Sequence, residues 1–266
     1  MTEVLSDRSS RVVSYAKLLR ASVRRAEGRF LVEGANSVDA ALRTHRAEVV
    51  LVAEDDEHRF QEIIAAARGH HIPVVAVTAR AAAKLSDTET PPGLFAVCTL
   101  LDTSLAEVLS REPRLLAIAV EPREPGNAGT LIRCADAMGA DAVVLLGDAV
   151  DPHNGKCVRS SAGSVFHLPI VRERATLDAL ETIRAAGITI LATAADGEVV
   201  LDDADALLAQ PTAWLFGNEA HGLPVQVQDA ADHRVSIPIR GRAESLNIAA
   251  TAAICLYESA RAHARG

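Results

Sequence analysis

Three short stretches combine the residue types that chemistry at a small-molecule site needs. The first is Glu121-Pro-Arg-Glu-Pro-Gly-Asn-Ala-Gly-Thr-Leu-Ile-Arg133, which leads from an apolar run into a helix. The second is Ala213-Trp-Leu-Phe-Gly-Asn-Glu-Ala-His-Gly-Leu-Pro224, an apolar run that stops at Gly217. The third is Ile237-Pro-Ile239 followed by Arg240-Gly-Arg-Ala-Glu-Ser-Leu-Asn247. Each sets amides, hydroxyls or charges beside glycine or proline. Glycine lets a backbone turn sharply and lets a ligand approach the main chain. Loops at the carboxyl ends of strands are where α/β proteins hold small molecules.

Each stretch also has a purely structural reading. Asn127 is placed to cap a helix that begins near Ala128, which puts Arg133 on its second turn at the surface. Glu219 is either a helix-start charge or a partner for an arginine or a hydroxyl. Ser245 is placed to cap the final helix, with Leu246 and Asn247 in the first turn. Asn247 is a poor helix former, so its position asks for a further reason. A fourth stretch, Arg159-Ser-Ser-Ala-Gly-Ser-Val-Phe166, joins a helix to a strand through small residues, and Arg159 is its one charge.

Several chemistries are excluded. His70, His71, His153 and His221 show no recurring spacing and no acidic cluster, so no metal site is assigned. No G-x-S-x-G elbow surrounds Ser245, and no G-x-G-x-x-G opens a helix after a strand. Cys98, Cys134, Cys157 and Cys255 are scattered without a C-x-x-C pair, which fits a reducing cytoplasm. No apolar run reaches membrane-spanning length. The charged segment 1–29 does not read as a secretory signal.

The elements that must position these loops follow from hydrophobic periodicity. At 266 residues, 49% hydrophobic and 23% charged, the chain has room for two ordinary α/β domains. Residues 8–25 read as one amphipathic helix. Strands at 29–33, 48–53, 73–77 and 94–98 alternate with helices at 35–44, 57–70 and 79–85. Residues 101–113 read as a linker. A second alternating series follows: strands at 115–120, 142–146, 168–171, 188–194 and 213–216, an extended segment at 235–239, and a last helix over 245–262. Such alternation predicts a parallel or mixed sheet covered on both faces. The net charge is -8, yet seven basic residues fall between Arg8 and Arg29 against Glu27 alone. That stripe is either a phosphate-binding surface or a solvated helix face.

In their order and spacing, Asn127…Arg133, Leu215-Phe-Gly-Asn-Glu219 and Ile237-Pro-Ile239…Ser245-Leu-Asn247 resemble the three motifs of the SpoU (TrmH) family. These are RNA 2′-O-ribose methyltransferases of the SPOUT class. The resemblance covers roughly residues 115–262. Phe30-Leu-Val-Glu-Gly34 and Thr90-Pro-Pro-Gly-Leu-Phe-Ala96 look like the RNA-binding domain often fused to that catalytic domain. The resemblance implies an α/β fold: a smaller N-terminal RNA-binding domain over 1–105 and a trefoil-knotted methyltransferase domain over 106–266. General topology rules count knots as near-absent, so periodicity alone would not propose one.

It further implies a homodimer that binds S-adenosylmethionine and acts on RNA, ribosomal RNA in preference to transfer RNA. The cofactor pocket would comprise Thr193, Phe216, Gly217, Asn218, Gly222, Ile237, Ile239 and Leu246. Arg133 would act on the ribose, with Asn127, Glu219, Ser245 and Asn247 orienting it or its surroundings. A guanidinium is hard to deprotonate, so its easier role is to bind the ribose or phosphate and stabilise a developing alkoxide; the base stays open. RNA contact would fall to the basic N-terminal helix, with Arg20, Arg24 and Arg25, and to Arg133, Arg159, Arg240 and Arg242. With 3% aromatic residues, recognition by shape and backbone is expected over base stacking. Two other readings remain: an RNA-binding homologue without catalysis, and an α/β enzyme for another nucleotide.

Overall fold

The computed structural model describes residues 4–218 and 221–265. The chain forms two compact units, Met1–Leu101 with Asp151–His167, and Asp102–Val150 with Leu168–Gly266. The expected boundary at 105/106 thus lies close to the observed division. Residues 151–167, expected in the second domain, belong to the first unit.

The first unit runs α1 (Ser10–Lys17), α2 (Ala21–Glu27), β1 (Arg29–Glu33), α3 (Ala35–Arg43), β2 (Ala47–Ala53), α4 (Gln61–Gly69), β3 (Val74–Val77), α5 (Ala79–Leu85) and β4 (Leu94–Thr99). A 3-10 turn at Glu54–Arg59 precedes α4. Its four strands lie in the order β1-β4-β2-β3, antiparallel except for the β2–β3 pair. Val49, Leu51, Phe95 and Val97 pack with Val12, Leu18 and Leu85 from the helices.

The helix expected over 8–25 is two helices, and Arg24 is the reason. Its guanidinium donates to the carbonyls of Leu18 and Leu19, at 3.0 and 2.9 Å, where α1 ends. Those carbonyls have no intrahelical partner, so a side chain that serves them makes a stop affordable. Arg24 also pairs with Asp151 through Nε at 3.0 Å and Nη2 at 2.5 Å. Desolvation alone would raise the Asp151 pKa, but hydrogen bonds from His153 and Arg24, and the Arg24 charge, hold it well below the ordinary carboxylate range. His153 is buried and its Nε2 accepts from Leu101 N–H at 3.0 Å.

The second unit begins with β5 (Asp102–Thr103) and α6 (Leu105–Leu109), so the expected linker carries structure of its own. It continues through β6 (Leu115–Val120), α7 (Pro125–Ala137) and β7 (Ala142–Leu146). The chain then supplies α8 (Gly155–Ser161) to the first unit and returns through β8 (Ile170–Glu173), α9 (Thr176–Ala185), β9 (Thr189–Thr193), β10 (Val199–Val200), α10 (Asp205–Leu208) and β11 (Thr212–Phe216). It ends with α11 (Val225–Asp229), β12 (His233–Ser236) and α12 (Ile248–His263). Eight strands form one sheet in the order β10-β12-β9-β11-β6-β7-β8-β5, with parallel pairing between neighbours. The central strands β6, β7 and β11 are buried along their whole length, as a sheet covered on both faces requires.

One feature of this order creates the site. β11 is made late yet lies between β6 and β9. Leu215 pairs with both Ile118 and Ala192, while Val235 of β12 pairs with Thr193. Parallel strands in this register end together, so the connections after β6, β9, β11 and β12 leave from one edge of the sheet. Helix α12 is anchored below by a buried bond from Trp214 Nε1 to Ser259 Oγ at 2.8 Å. Among the described residues no helix is long and apolar enough to cross a membrane.

Candidate active site

The connections at that edge enclose a cavity of about 360 Å³. Thr193, Phe216, Gly217, Asn218, Gly222, Ile237, Ile239 and Leu246 all line it. Ala194, Ala195, Leu223, Val235, Glu244, Ser245, Ile248 and Thr251 complete the wall. Thr251 was not foreseen; it follows Asn247 by one helical turn. Glu244 was not singled out either, although it is the one ionisable side chain among the described lining residues. Ile239 and Leu246 are 39% and 38% exposed at this wall, an apolar surface left for a ligand to cover.

Gly217 explains why the second stretch needs glycine. A Cβ there would lie 2.4 Å from Gly222 C and 2.5 Å from Leu223 N. The chain doubles back on itself, and Asn218 and Gly222 exchange backbone hydrogen bonds of 3.0 and 2.9 Å. Gly222 stands at φ +66°, a conformation that L side chains rarely adopt. Thr193 spends its hydroxyl on Leu215 O at 2.9 Å, so it braces β9 on β11 as it lines the cavity.

The three stretches meet through side-chain amides. Asn247 Oδ1 accepts from Ala249 N–H at 2.8 Å, which makes Asn247 the N-cap of α12. Its Nδ2 then donates to Asn127 Oδ1 at 3.2 Å. Asn218 Nδ2 donates to Glu121 O at 2.8 Å, joining the second stretch to the first. Two cap assignments are corrected here. α7 starts at Pro125 and is capped by Glu124, whose Oε1 accepts from Gly126 N–H at 3.3 Å; Asn127 lies inside the first turn. α12 starts at Ile248, three residues later than expected, and Ser245 stays in the exposed loop at the cavity wall. The further reason sought for Asn247 is this cap and its bond to Asn127.

Arg133 is exposed on α7 and makes no hydrogen bond or ion pair among the described residues. The same helix faces α12 through Asn127 and Cys134, whose Sγ approaches Ala249 O at 3.8 Å. At about 100° per residue, Arg133 sits roughly a third of a turn away from that face. It does not line the cavity of its own chain. On α12, Ile254 and Tyr257 stand 36% and 54% exposed. Glu219 lies outside the described residues.

The proposed RNA-binding arginines differ in environment. Arg20 and Arg25 are exposed, as are Arg8, Arg11 and Lys17, and none has an ion pair among the described residues. Arg24 is corrected: at 3% exposure, holding α1 and Asp151, it has no guanidinium surface for RNA. Arg159 is only partly open, and Glu33 and Asp87 both engage its Nη1.

A parallel α/β unit with a crevice at its strand ends, joined to a second α/β unit, defines an α/β protein of the doubly wound class with the place such folds use for a small molecule. Residues 114–257 match the SpoU rRNA Methylase family, and residues 10–96 match the MRM3-like substrate binding domain. The chain belongs to the SpoU rRNA methylase family. It is similar to the 23S rRNA (guanosine(2553)-2′-O)-methyltransferase of Bacillus subtilis, 32% identical over the full length of both. It is 40% identical over 181 residues to the 23S rRNA (uridine(2479)-2′-O)-methyltransferase of Streptomyces viridochromogenes, covering 67% of this chain and 63% of that protein. The structure of the SpoU methyltransferase AviRb from Streptomyces viridochromogenes in complex with AdoMet superposes with TM-score 0.84 at 32% identity, over 97% of this chain and all of that one. An AdoMet-bound rRNA methyltransferase from Sinorhizobium meliloti gives 0.82 at 28% identity, over 97% of this chain and 98% of that one.

Proposed function

We propose that the protein methylates a ribose 2′-hydroxyl of 23S ribosomal RNA, with S-adenosylmethionine as donor. The observation that carries this reading is the convergence of the three stretches, Asn247 on Asn127 and Asn218 on Glu121, beside a cavity lined by the second and third. The two named rRNA relatives modify different nucleosides, so the reading stops at the ribose.

The cavity fits the donor on its own terms. Ile237, Ile239 and Leu246 offer apolar cover for a purine, Gly217 and Gly222 present main chain, and Glu244 is opposite in charge to a sulfonium amino acid. When bound, S-adenosylmethionine supplies an electrophilic methyl group. The residues of the chain then have two tasks. One is orientation, which contributes at most roughly 7–11 kcal/mol to such a transfer. Asn247 serves it by fixing the Asn127 amide, and Ser245 by its place on the wall beside Leu246. The other is charge. Arg133, a permanent cation, binds the ribose or its phosphate and stabilises oxygen as the hydroxyl proton leaves. Glu219, outside the described residues, would orient Arg133 or the ribose by resemblance to the family.

The reading includes a homodimer. It is supported by the exposed apolar pair Ile254 and Tyr257 on α12 and by Arg133, which is exposed, does not line its own cavity and would serve a neighbouring one. A trefoil knot in the C-terminal domain is part of the same reading, supported by the late insertion of β11. The basic surface around Arg20 and Arg25 would hold the RNA. The enzyme would work in the cytoplasm, where its four unpaired cysteines stay reduced.

The test is incorporation of tritiated methyl into 23S rRNA by the wild type and by Arg133→Ala. Incorporation only by the wild type supports the assignment. Incorporation that survives the substitution removes Arg133 from catalysis, and none by either protein refutes methyl transfer to this RNA. Mapping ribose methylation in cells lacking the gene would name the nucleotide. A Tyr257→Arg variant that stays dimeric in sedimentation would refute the interface.

A further inference from the structure

Asn218 lines the cavity, yet its side chain is engaged outside the cofactor loop. Its backbone N–H and C=O are both taken by Gly222. Its Nδ2 donates to the carbonyl of Glu121 at 2.8 Å. Glu121 is the first residue after β6 and begins the connection to α7, the helix of Asn127 and Arg133. It stands at φ +47°, left-handed, although it is not glycine.

Such a backbone persists only where its surroundings over-determine it. Glu121 is held on several sides. Its N–H donates to Leu146 O at 2.9 Å. Its side chain lies over Gly147, where a Cβ would come within 2.7 Å of Glu121 Cγ. Its carboxylate pairs with Arg123 at 3.4 Å, and Arg123 pairs with Asp148 at 2.6 Å. The remaining restraint is the Asn218 amide on its carbonyl. A left-handed residue at this point redirects the chain, so the carbonyl bond sets where α7 starts relative to the cofactor loop.

We infer that Asn218 is a positioning residue for methyl transfer: its side chain holds the connection that launches α7. This inference rests on the methyltransferase reading. It differs from a cofactor-ligand role in one measurable respect, because the amide matters to the turnover step and not to cofactor affinity. A displacement of about 1 Å in a catalytic group lowers rate on the order of 100-fold, whereas the cofactor wall is left as it was.

The experiment compares Asn218→Ala and Asn218→Asp with the wild type, each as the whole chain. Calorimetric titration reads S-adenosylmethionine affinity, single-turnover methyl transfer to 23S rRNA reads the chemical step, and thermal melting checks folding. Asn218→Ala should lower the single-turnover rate about 10-fold or more, with S-adenosylmethionine Kd within about threefold. Asn218→Asp should be worse than Ala, because an ionised carboxylate has no donor and faces a carbonyl oxygen. The inference is overturned if Asn218→Ala weakens cofactor binding as much as it slows transfer, if it changes neither, or if Asn218→Asp matches the wild type. A wild type that transfers no methyl group sinks the methyltransferase reading itself, and this inference with it.

Discussion

Replacing Gly217 by alanine tests the cofactor loop with a single methyl group. Its φ is outside the left-handed range, so alanine meets no backbone penalty, and the whole effect is space. The added Cβ would lie 2.4 Å from Gly222 C, 2.5 Å from Leu223 N and 2.8 Å from Gly222 O. Carbon atoms rest at about 3.5–4.0 Å, so the returning chain must retreat by roughly 1 Å. The obstacle is backbone, already bonded to Asn218 on both sides, and it cannot swing aside like a side-chain tip. Overpacking of this kind costs about 1–3 kcal/mol. If the cost falls on the loop that grips the cofactor, S-adenosylmethionine affinity drops roughly 5- to 140-fold. Gly222→Ala is the contrasting variant. It has nothing within 4 Å but stands at φ +66°, so its penalty of about 1–2 kcal/mol is conformational. Isothermal titration of both variants, with melting temperatures as a folding check, measures the difference. Wild-type affinity in Gly217→Ala would refute the argument that main chain at this loop forms the pocket wall.

Four further outcomes rest on particular side chains. Thr212 Oγ1 is buried without a hydrogen-bond partner among the described residues, so Thr212→Val should stabilise the protein by about 1 kcal/mol, read as a rise in Tm of about 2–4 °C. Arg24→Ala should lower Tm, because it uncaps α1 and takes from Asp151 its guanidinium partner. A double Arg20→Ala, Arg25→Ala variant should keep Tm and bind RNA more weakly, with a log-affinity salt slope reduced by about 1–2; an unchanged slope would exclude those arginines as phosphate contacts. Because Asp151 has a depressed pKa in the folded state, its contribution is complete above the ordinary carboxylate range and drains away as pH falls below it. Asp151→Asn should therefore cost about 3 kcal/mol at pH 7 and flatten the acid limb of stability, measured by urea unfolding between pH 7 and pH 3. An acid limb as steep as the wild type would show that other carboxylates drive it.

Local pattern was sufficient for most elements and for the identity of the site loops. The helix at Ala79–Leu85 and the strands at Leu115–Val120 and Ala142–Leu146 follow from short-range alternation and apolar runs, because their burial repeats with the period of the element. The three motif stretches were legible because glycine, proline and amides at fixed spacing restrict the backbone wherever they occur. Cap positions were legible only to within a few residues. Whether Asn127 or Glu124 caps α7, and whether Ser245 or Asn247 caps α12, depends on how the chain arrives from the sheet edge, which no local preference encodes.

Arg24 shows the larger limit. In sequence it stands in a run of cations and looks like a surface charge. Its partner Asp151 is 127 residues away, and only the return of 151–167 to the first unit buries the pair. The cavity is likewise a tertiary product. Its walls come from connections after strands separated by some forty residues, and they adjoin because β11 enters between β6 and β9. Composition, periodicity and motif spacing are properties of neighbours along the chain, whereas strand order, burial and the meeting of Asn247 with Asn127 are settled by packing between distant segments.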